Sequence, residues 1–404
     1  MTATIVPPDK IREEHRAADS AHGRIADIEI LRAVAIIFVL IEHAPFNLFP
    51  WIRVLASNSR FYYYFGFWNG VDLFLAISGF VIARSLLPQL RAAGDATQFV
   101  NTTIAFWVRR IWRLLPSAWL WLAVILLCSV FLNRSGMFGS FRANFEGAVA
   151  AVLDVANFRI LEVFGKYPPG ASFPYWSLSL EEQFYLLLPL VVFFSGRRLP
   201  WVLVVAVAAQ LFITRTGPET THFGALINIL RSDALCLGVL IAIWSRTETY
   251  RLFEPTALKS HPILRAAILL FLTVLLASIG SHNLHIGFFQ VGLVALLSAV
   301  MVLIASYDRD YLLADSVIKR VLLWVGSRSY ALYLVHIPAY FLTREIWFRI
   351  EPPGTVFGGE HFLRFVATAI GLIVTFAELN YRFVETPFRR RGARIARDLA
   401  RRTA

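Results

Sequence analysis

Ten apolar runs follow one another along the chain. They fall at approximately Ile28–Phe49, Phe65–Leu87, Ile111–Leu132, Tyr175–Phe194, Trp201–Thr214, Phe223–Trp244, Pro262–Ile279, Gly287–Ser306, Leu322–Leu342 and Phe362–Tyr381. A helix needs about 20 residues to cross a hydrocarbon core about 30 Å thick, so most of these runs have the length of one crossing. Trp201–Thr214 is short and reads as a tilted or partly re-entrant segment. The pattern predicts an all-α, polytopic transmembrane bundle of about ten helices. Met1 to Gly23 is polar and charged, which reads as a tail and not as a cleavable signal. The expected organisation is a tail over 1–27, a membrane domain over 28–388 and a basic tail over 389–404. The longest link, Asn133 to Pro174, holds a Lys166-Tyr-Pro-Pro-Gly170 turn and too few periodic apolar residues to form its own domain. No internal repeat or low-complexity tract is visible.

Composition strengthens this reading. Of the 404 residues, 57% are hydrophobic and only 16% charged, against about 45–50% and about 25% in soluble domains. The mean hydropathy is +0.60, an excess of apolar surface that must face lipid. The net charge of +12 is spread over loops, not gathered in a soluble basic domain, which argues against nucleic-acid binding. Basic residues accumulate in the first tail (Lys10, Arg12, Arg16, Arg24), before the third run (Arg109, Arg110, Arg113) and after the last (Arg389, Arg390, Arg391, Arg394, Arg397). The alternate loops are poorer, so both termini are expected in the cytoplasm. Cys128 and Cys236 lie within apolar runs, with neither a disulfide framework nor a zinc spacing, and no metal site is expected.

Ionisable groups inside the bilayer cost at least ~2.5–3.5 kcal/mol each and so become candidates for function. Arg32 and His43 stand eleven steps apart. At about 100° and 1.5 Å per step they share one helix face, ~16 Å apart along the axis. His43 is either a packing histidine or a titratable base deep in the membrane. Asp72 is expected at similar depth on the next helix, where it either bonds a neighbouring helix or orients the imidazole. Glu181 and Glu182 follow Ser177 and Ser179, a pattern that also suits helix capping. Arg231 and Asp233 either neutralise each other or serve a substrate, and His336 lies in the outer half of the ninth run. On the inner side Arg109, Arg110 and Arg113 suit either topology or phosphate binding, and Arg328 is placed to join them. Trp68, Tyr167, Tyr175 and Trp176 are candidates for a sugar surface, although interfacial anchoring explains aromatics at such positions equally well.

In this order, the motifs resemble the acyltransferase 3 family of bacterial membrane proteins, which includes O-antigen and exopolysaccharide O-acetylases. The resemblance rests on Asp27-Ile-Glu-Ile-Leu-Arg32 with His43, Gly70-Val-Asp72 through Ser78-Gly79-Phe80, and Arg109-Arg110-Ile-Trp-Arg113 with Pro116. It continues through Trp176 to Tyr185, Arg231-Ser-Asp233 to Gly238, Gly326 to Pro338 around His336, and Tyr381-Arg382-Phe-Val-Glu385-Thr-Pro387. Glu29-Ile30-Leu31-Arg32 keeps the acid of the family's Asp-Gly-Leu-Arg but lacks its glycine. No C-terminal esterase-like domain, present in some longer members, is expected here.

The resemblance implies an O-acyltransferase of the bacterial cytoplasmic (inner) membrane. Its donor would be acetyl-CoA or another acyl-CoA, held by Arg32, Arg109, Arg110, Arg113 and Arg328. Its acceptor would be a hydroxyl of a cell-surface or lipid-linked carbohydrate such as exopolysaccharide or lipopolysaccharide. His43 would be the general base, helped by Asp72, Glu181 or Glu182, with Trp176, Arg231, Asp233 and His336 toward the substrate. The alternative is a proton-coupled transporter or flippase of a glycan or lipid, which also buries ionisable groups but often shows internal repeats.

Overall fold

In the computed structural model the described residues are 25–49, 51, 60–163, 165–211, 213, 215, 222–281, 283–284 and 289–402. Lys10, Arg12, Arg16, Arg24 and Arg53, and the ends of two expected runs at Thr214 and Gly287, lie outside them. Every regular element among the described residues is helical. The principal helices are α1 (Ala26–Asn47), α2 (Gly70–Ala92), α3 (Ala96–Phe131), α4 (Phe141–Val152), α5 (Ala156–Val163), α6 (Tyr175–Ser195), α7 (Leu199–Leu211), α8 (His222–Ile229), α9 (Asp233–Trp244), α10 (Pro262–Ile279), α11 (Gln290–Ser306), α12 (Val317–Ser327), α13 (Ser329–Ile350), α14 (Phe362–Asn380) and α15 (Thr386–Arg402).

Among the described residues five stretches are long and apolar enough to cross a membrane: Gly70–Ala92, Ala96–Phe131, Tyr175–Leu211, Pro262–Ile279 and Gly359–Leu399. Helices α1 and α13 have 22 residues each, about 33 Å, but carry polar groups turned inward. Asp27 and Glu29 on α1, and His336 and Glu345 on α13, are all buried. These two are core helices.

The ten runs therefore do not map onto ten unbroken helices. The sixth run divides into α8 and α9, leaving Arg231 and Ser232 in the break. The ninth divides at Arg328 into α12 and α13, and the tenth continues through a π-helical turn, Tyr381–Glu385, into α15. The third helix starts at Ala96, capped by the Asp95 carboxylate, which accepts from Gln98 N at 2.8 Å. Its 36 residues extend about 54 Å, longer than a bilayer core is thick. The expected basic tail is thus a helix packed along α3, with Gly392 over the Trp112 side chain and Phe388 stacked on its ring at 5.8 Å. The link from 133 to 174 carries α4 and α5, which pack on α3 and α6.

Helix α2 sits at the centre, against α9, α1 and α11, while α1 also meets α12 and α13. The α2–α9 crossing is very close. A Cβ on Gly79 would stand 2.1 Å from Leu235 O, and one on Gly238 would stand 2.2 Å from Ala76 O. Small residues that let backbones touch are the usual device where lipid supplies no hydrophobic drive between helices. Large apolar side chains such as Ile263, Phe271, Trp201, Val205, Leu363 and Ile370 are exposed on the outer helices, as lipid contact requires.

Candidate active site

Helices α1, α2, α3, α6 and α13 line a half-open cavity. Arg32, Arg110 and Arg113 line it, together with Glu181, Ser78, Tyr185 and Tyr333. Spacing on α3 brings Arg110 and Arg113 to one side, as expected for positions three apart. Arg32 is braced by Glu29, whose Oε1 accepts from Nη1 at 2.7 Å. The Arg110 guanidinium lies over the rings of Phe106 and Tyr185, 5.6 and 5.2 Å from their centroids. Arg113 Nε is buried and has no hydrogen-bond partner among the described residues. An unanswered guanidinium N–H in a cavity bearing three arginines is a donor set suited to an anion with several oxygens. Glu181 is held in the lining by Ser78 Oγ and Tyr185 OH, which both donate to Oε1.

The imidazole of His43 stands beyond this cavity's lining. Its Nδ1 is 2.9 Å from His336 Nε2, and the two rings stack with centroids 5.1 Å apart. His336 is fully buried, and its Nδ1 donates to the Tyr333 carbonyl at 2.6 Å. The Phe173 ring edge meets His43 at 5.1 Å. Tyr333 is the link between the two regions, since its side chain lines the cavity and its carbonyl anchors His336. Its hydroxyl is fixed between Ser177 Oγ at 2.6 Å and Pro174 O, to which it donates at 2.8 Å.

Several expected site residues stand elsewhere. Asp72 does not orient His43: Oδ2 accepts from Arg231 Nη1 at 2.9 Å, with both side chains buried. Nearby, Asp233 pairs with Arg215 at 2.6 Å and not with Arg231. Two cations buried beside two acids neutralise one another, which is the cheapest arrangement in low dielectric. Arg231 is also flanked by Trp68 and Trp176 at 5.3 and 5.6 Å, so Trp176 serves that cation. Trp68 Nε1 donates to Gly280 O at 2.6 Å and Tyr175 OH to Ala118 O at 3.0 Å, whereas Tyr167 is exposed.

Glu182 faces away from the main cavity into a small recess with Asp154, Ser179 and Tyr175. Asp154 belongs to the link between α4 and α5, and burial pushes its carboxyl up to about 7. Arg328 is also not in the cavity. Its Nε donates to Glu378 at 2.7 Å and its guanidinium lies between Trp324 and Tyr381, at 4.9 and 4.5 Å. Its neighbours Ser329 and Tyr330 line the cavity instead. Arg109 shows no polar partner among the described residues and does not line the cavity, because one helical step turns it about 100° from Arg110. No group of three or more metal-ligating side chains occurs among the described residues.

Sequence reasoning overlooked Ser78, Tyr185, Tyr333 and Arg215. Tyr185 is four residues after Glu181 and Tyr333 three before His336, so helical spacing was a usable signal for both. Arg215 follows an apolar run and carried no such signal.

Comparison with known proteins agrees with this architecture. Residues 25–377 match the family described as "Acyltransferase domain". The chain is 29% identical over 389 residues to the peptidoglycan O-acetyltransferase OatA of Listeria monocytogenes, covering 91% of this chain and 56% of that protein. It is 28% identical to the putative peptidoglycan O-acetyltransferase YrhL of Bacillus subtilis, with 92% and 56% covered. It is 27% identical to the O-acetyltransferase OatA of Staphylococcus aureus, with 90% and 57% covered. The chain thus spans a little over half the length of these curated relatives. No solved structure matches. A family match over so much of the chain, on a helical bundle with an arginine-lined cavity, places it: the chain belongs to the acyltransferase 3 family.

Proposed function

We propose that this protein is a membrane-embedded O-acyltransferase that carries an acyl group, acetyl in the first instance, from acyl-CoA to a carbohydrate hydroxyl. The observation that carries the reading is the cavity itself, which bears Arg32, Arg110 and Arg113 and reaches Tyr333, whose carbonyl anchors the His336–His43 pair. The donor's phosphates sit on the arginines, with Arg113 Nε available to one of their oxygens. The acyl-pantetheine arm follows the cavity wall toward Tyr333. His43 removes the proton of the acceptor hydroxyl, the alkoxide oxygen attacks the thioester carbonyl, and the C–S bond breaks. The thiolate leaves with the proton returned from His43, so one hydroxyl and one thioester become one ester and one thiol. His43 must be neutral to begin, so activity falls in acid. The relatives' names support a cell-wall glycan as the acceptor class. We further propose a bacterial inner-membrane topology with ten crossings and both termini in the cytoplasm, which puts the arginines on the side where acyl-CoA is made.

Purified protein supplied with labelled acetyl-CoA and a glycan acceptor tests the reading. Wild type forms a labelled ester and His43→Ala forms none while remaining folded. Equal ester formation by His43→Ala, or glycan movement across the bilayer without ester, overturns it.

A further inference from the structure

The hydrogen bonds around the two imidazoles admit one neutral proton arrangement. A backbone carbonyl can only accept, so at 2.6 Å from Tyr333 O the His336 Nδ1 carries hydrogen. A neutral His336 with hydrogen on Nδ1 has a bare Nε2. That lone pair faces His43 Nδ1 at 2.9 Å, so His43 Nδ1 must be the donor. Hydrogen on His43 Nδ1 leaves Nε2 bare, and Nε2 has no hydrogen-bond partner among the described residues. The reverse arrangement sets a lone pair against a lone pair, either between the rings or between His336 and the carbonyl. A doubly protonated His336 would satisfy both contacts. It would also place an unpaired cation in a fully buried position, since Asp72 is engaged by Arg231 and no carboxylate among the described residues bonds either ring.

We propose that His336 is a positioning residue that fixes His43 in the tautomer whose Nε2 is bare, through a chain running from the Tyr333 carbonyl to His336 to His43. The inference rests on the reading of His43 as the base, and supplies what that reading lacks once Asp72 is seen to serve Arg231. A catalytic imidazole needs a group on its second nitrogen to hold the tautomer and ring angle. Here that group is a neutral ring anchored to the helix backbone, not a carboxylate. The choice suits the site, because a carboxylate would be an uncompensated charge inside the bundle whenever His43 is neutral. Stacking at 15° between the ring planes, with Phe173, Tyr333 and Tyr340 around the pair, restricts rotation of both rings.

The full-length protein labelled with nitrogen-15 histidine, in lipid nanodiscs, tests the arrangement directly. Signals of the two rings are assigned by their loss in His43→Gln and His336→Gln. The expected spectrum has hydrogen on Nδ1 and none on Nε2 for both rings. Hydrogen on His43 Nε2, or on both nitrogens of His336, overturns the proposal. Kinetics give a second reading. His336→Phe, which has no acceptor, is expected to lower kcat by about 10²–10⁴-fold, with donor KM changed less than about twofold. His336→Gln places a carbonyl oxygen near the former Nε2 and is expected to recover at least about tenfold of that loss, a gain that a merely space-filling role would not give. Wild-type kcat in His336→Phe, or equal loss in both variants with a raised donor KM, overturns the proposal. The expected spectrum in a wild-type protein that transfers no acyl group would leave the tautomer standing and remove the base reading instead.

Discussion

At the scale of single residues, the protein separates the tasks of its buried charges. Arg231 pairs with Asp72 and Arg215 with Asp233, each as a buried ion pair although Arg215 Nε and Nη1 find no further partner among the described residues, whereas Arg113 lines the cavity with an Nε that has none. The two kinds of cation should therefore fail differently. Arg113→Ala removes a charge-assisted donor contact worth ~1.5–3 kcal/mol, so the donor KM should rise about 10- to 100-fold while thermal stability changes little. Saturation kinetics with acyl-CoA, set beside a melting curve, separates the two readouts. Asp72→Asn instead strands a buried guanidinium. It should destabilise the protein by roughly 3–5 kcal/mol, and adding Arg231→Met should restore part of that loss. A melting temperature in detergent unchanged by Asp72→Asn would show that the pair does not hold the bundle.

At the scale of elements, close helix approach positions the site. The α2–α9 crossing admits no side chain at Gly79, where a Cβ would lie 2.1 Å from a carbonyl oxygen. Gly79→Leu is therefore expected to abolish monodisperse protein in size-exclusion chromatography, since overpacking against backbone cannot be relieved by a rotamer. Helix α15 bears on α3 in a different way. Gly392 lies against Trp112, between Arg110 and Arg113 in sequence, and the Arg391 guanidinium covers the Trp112 ring at 5.1 Å. Gly392→Leu should push α15 from α3, tilt the arginine pair and raise the donor KM about tenfold with kcat less affected. An unchanged donor KM would show that α15 does not support the arginines. Each of the five long apolar stretches among the described residues overlaps a run that hydropathy picks out, because lipid-facing length is written in hydropathy. It placed the interruptions at Arg231 and Arg328 inside continuous runs, because a helix break buried among neighbours needs no apolar gap.

At the scale of the whole molecule, the proposed reaction needs one path, from the arginine-lined cavity past Tyr333 to the His43–His336 pair that stands beyond its lining. The Arg32 and His43 spacing and the Arg110 and Arg113 pair were readable from helical geometry, and Glu181 as a candidate from the cost of burying charge. Which acid served which base was not. Hydropathy sets Asp72 and His43 at similar depth, but depth says nothing of azimuth, and Arg231, in the break between α8 and α9 and more than 150 residues away, holds the carboxylate. His336 looked like a substrate residue because no local pattern reveals a contact across 293 positions. The most direct measurement of the path is ester formation in oriented proteoliposomes, with labelled acetyl-CoA supplied to one face and glycan acceptor to the other. Labelled ester is expected when the donor is on the face that carries Arg109 and the C-terminal helix and the acceptor opposite. Ester formed at the same rate with donor and acceptor exchanged would contradict it.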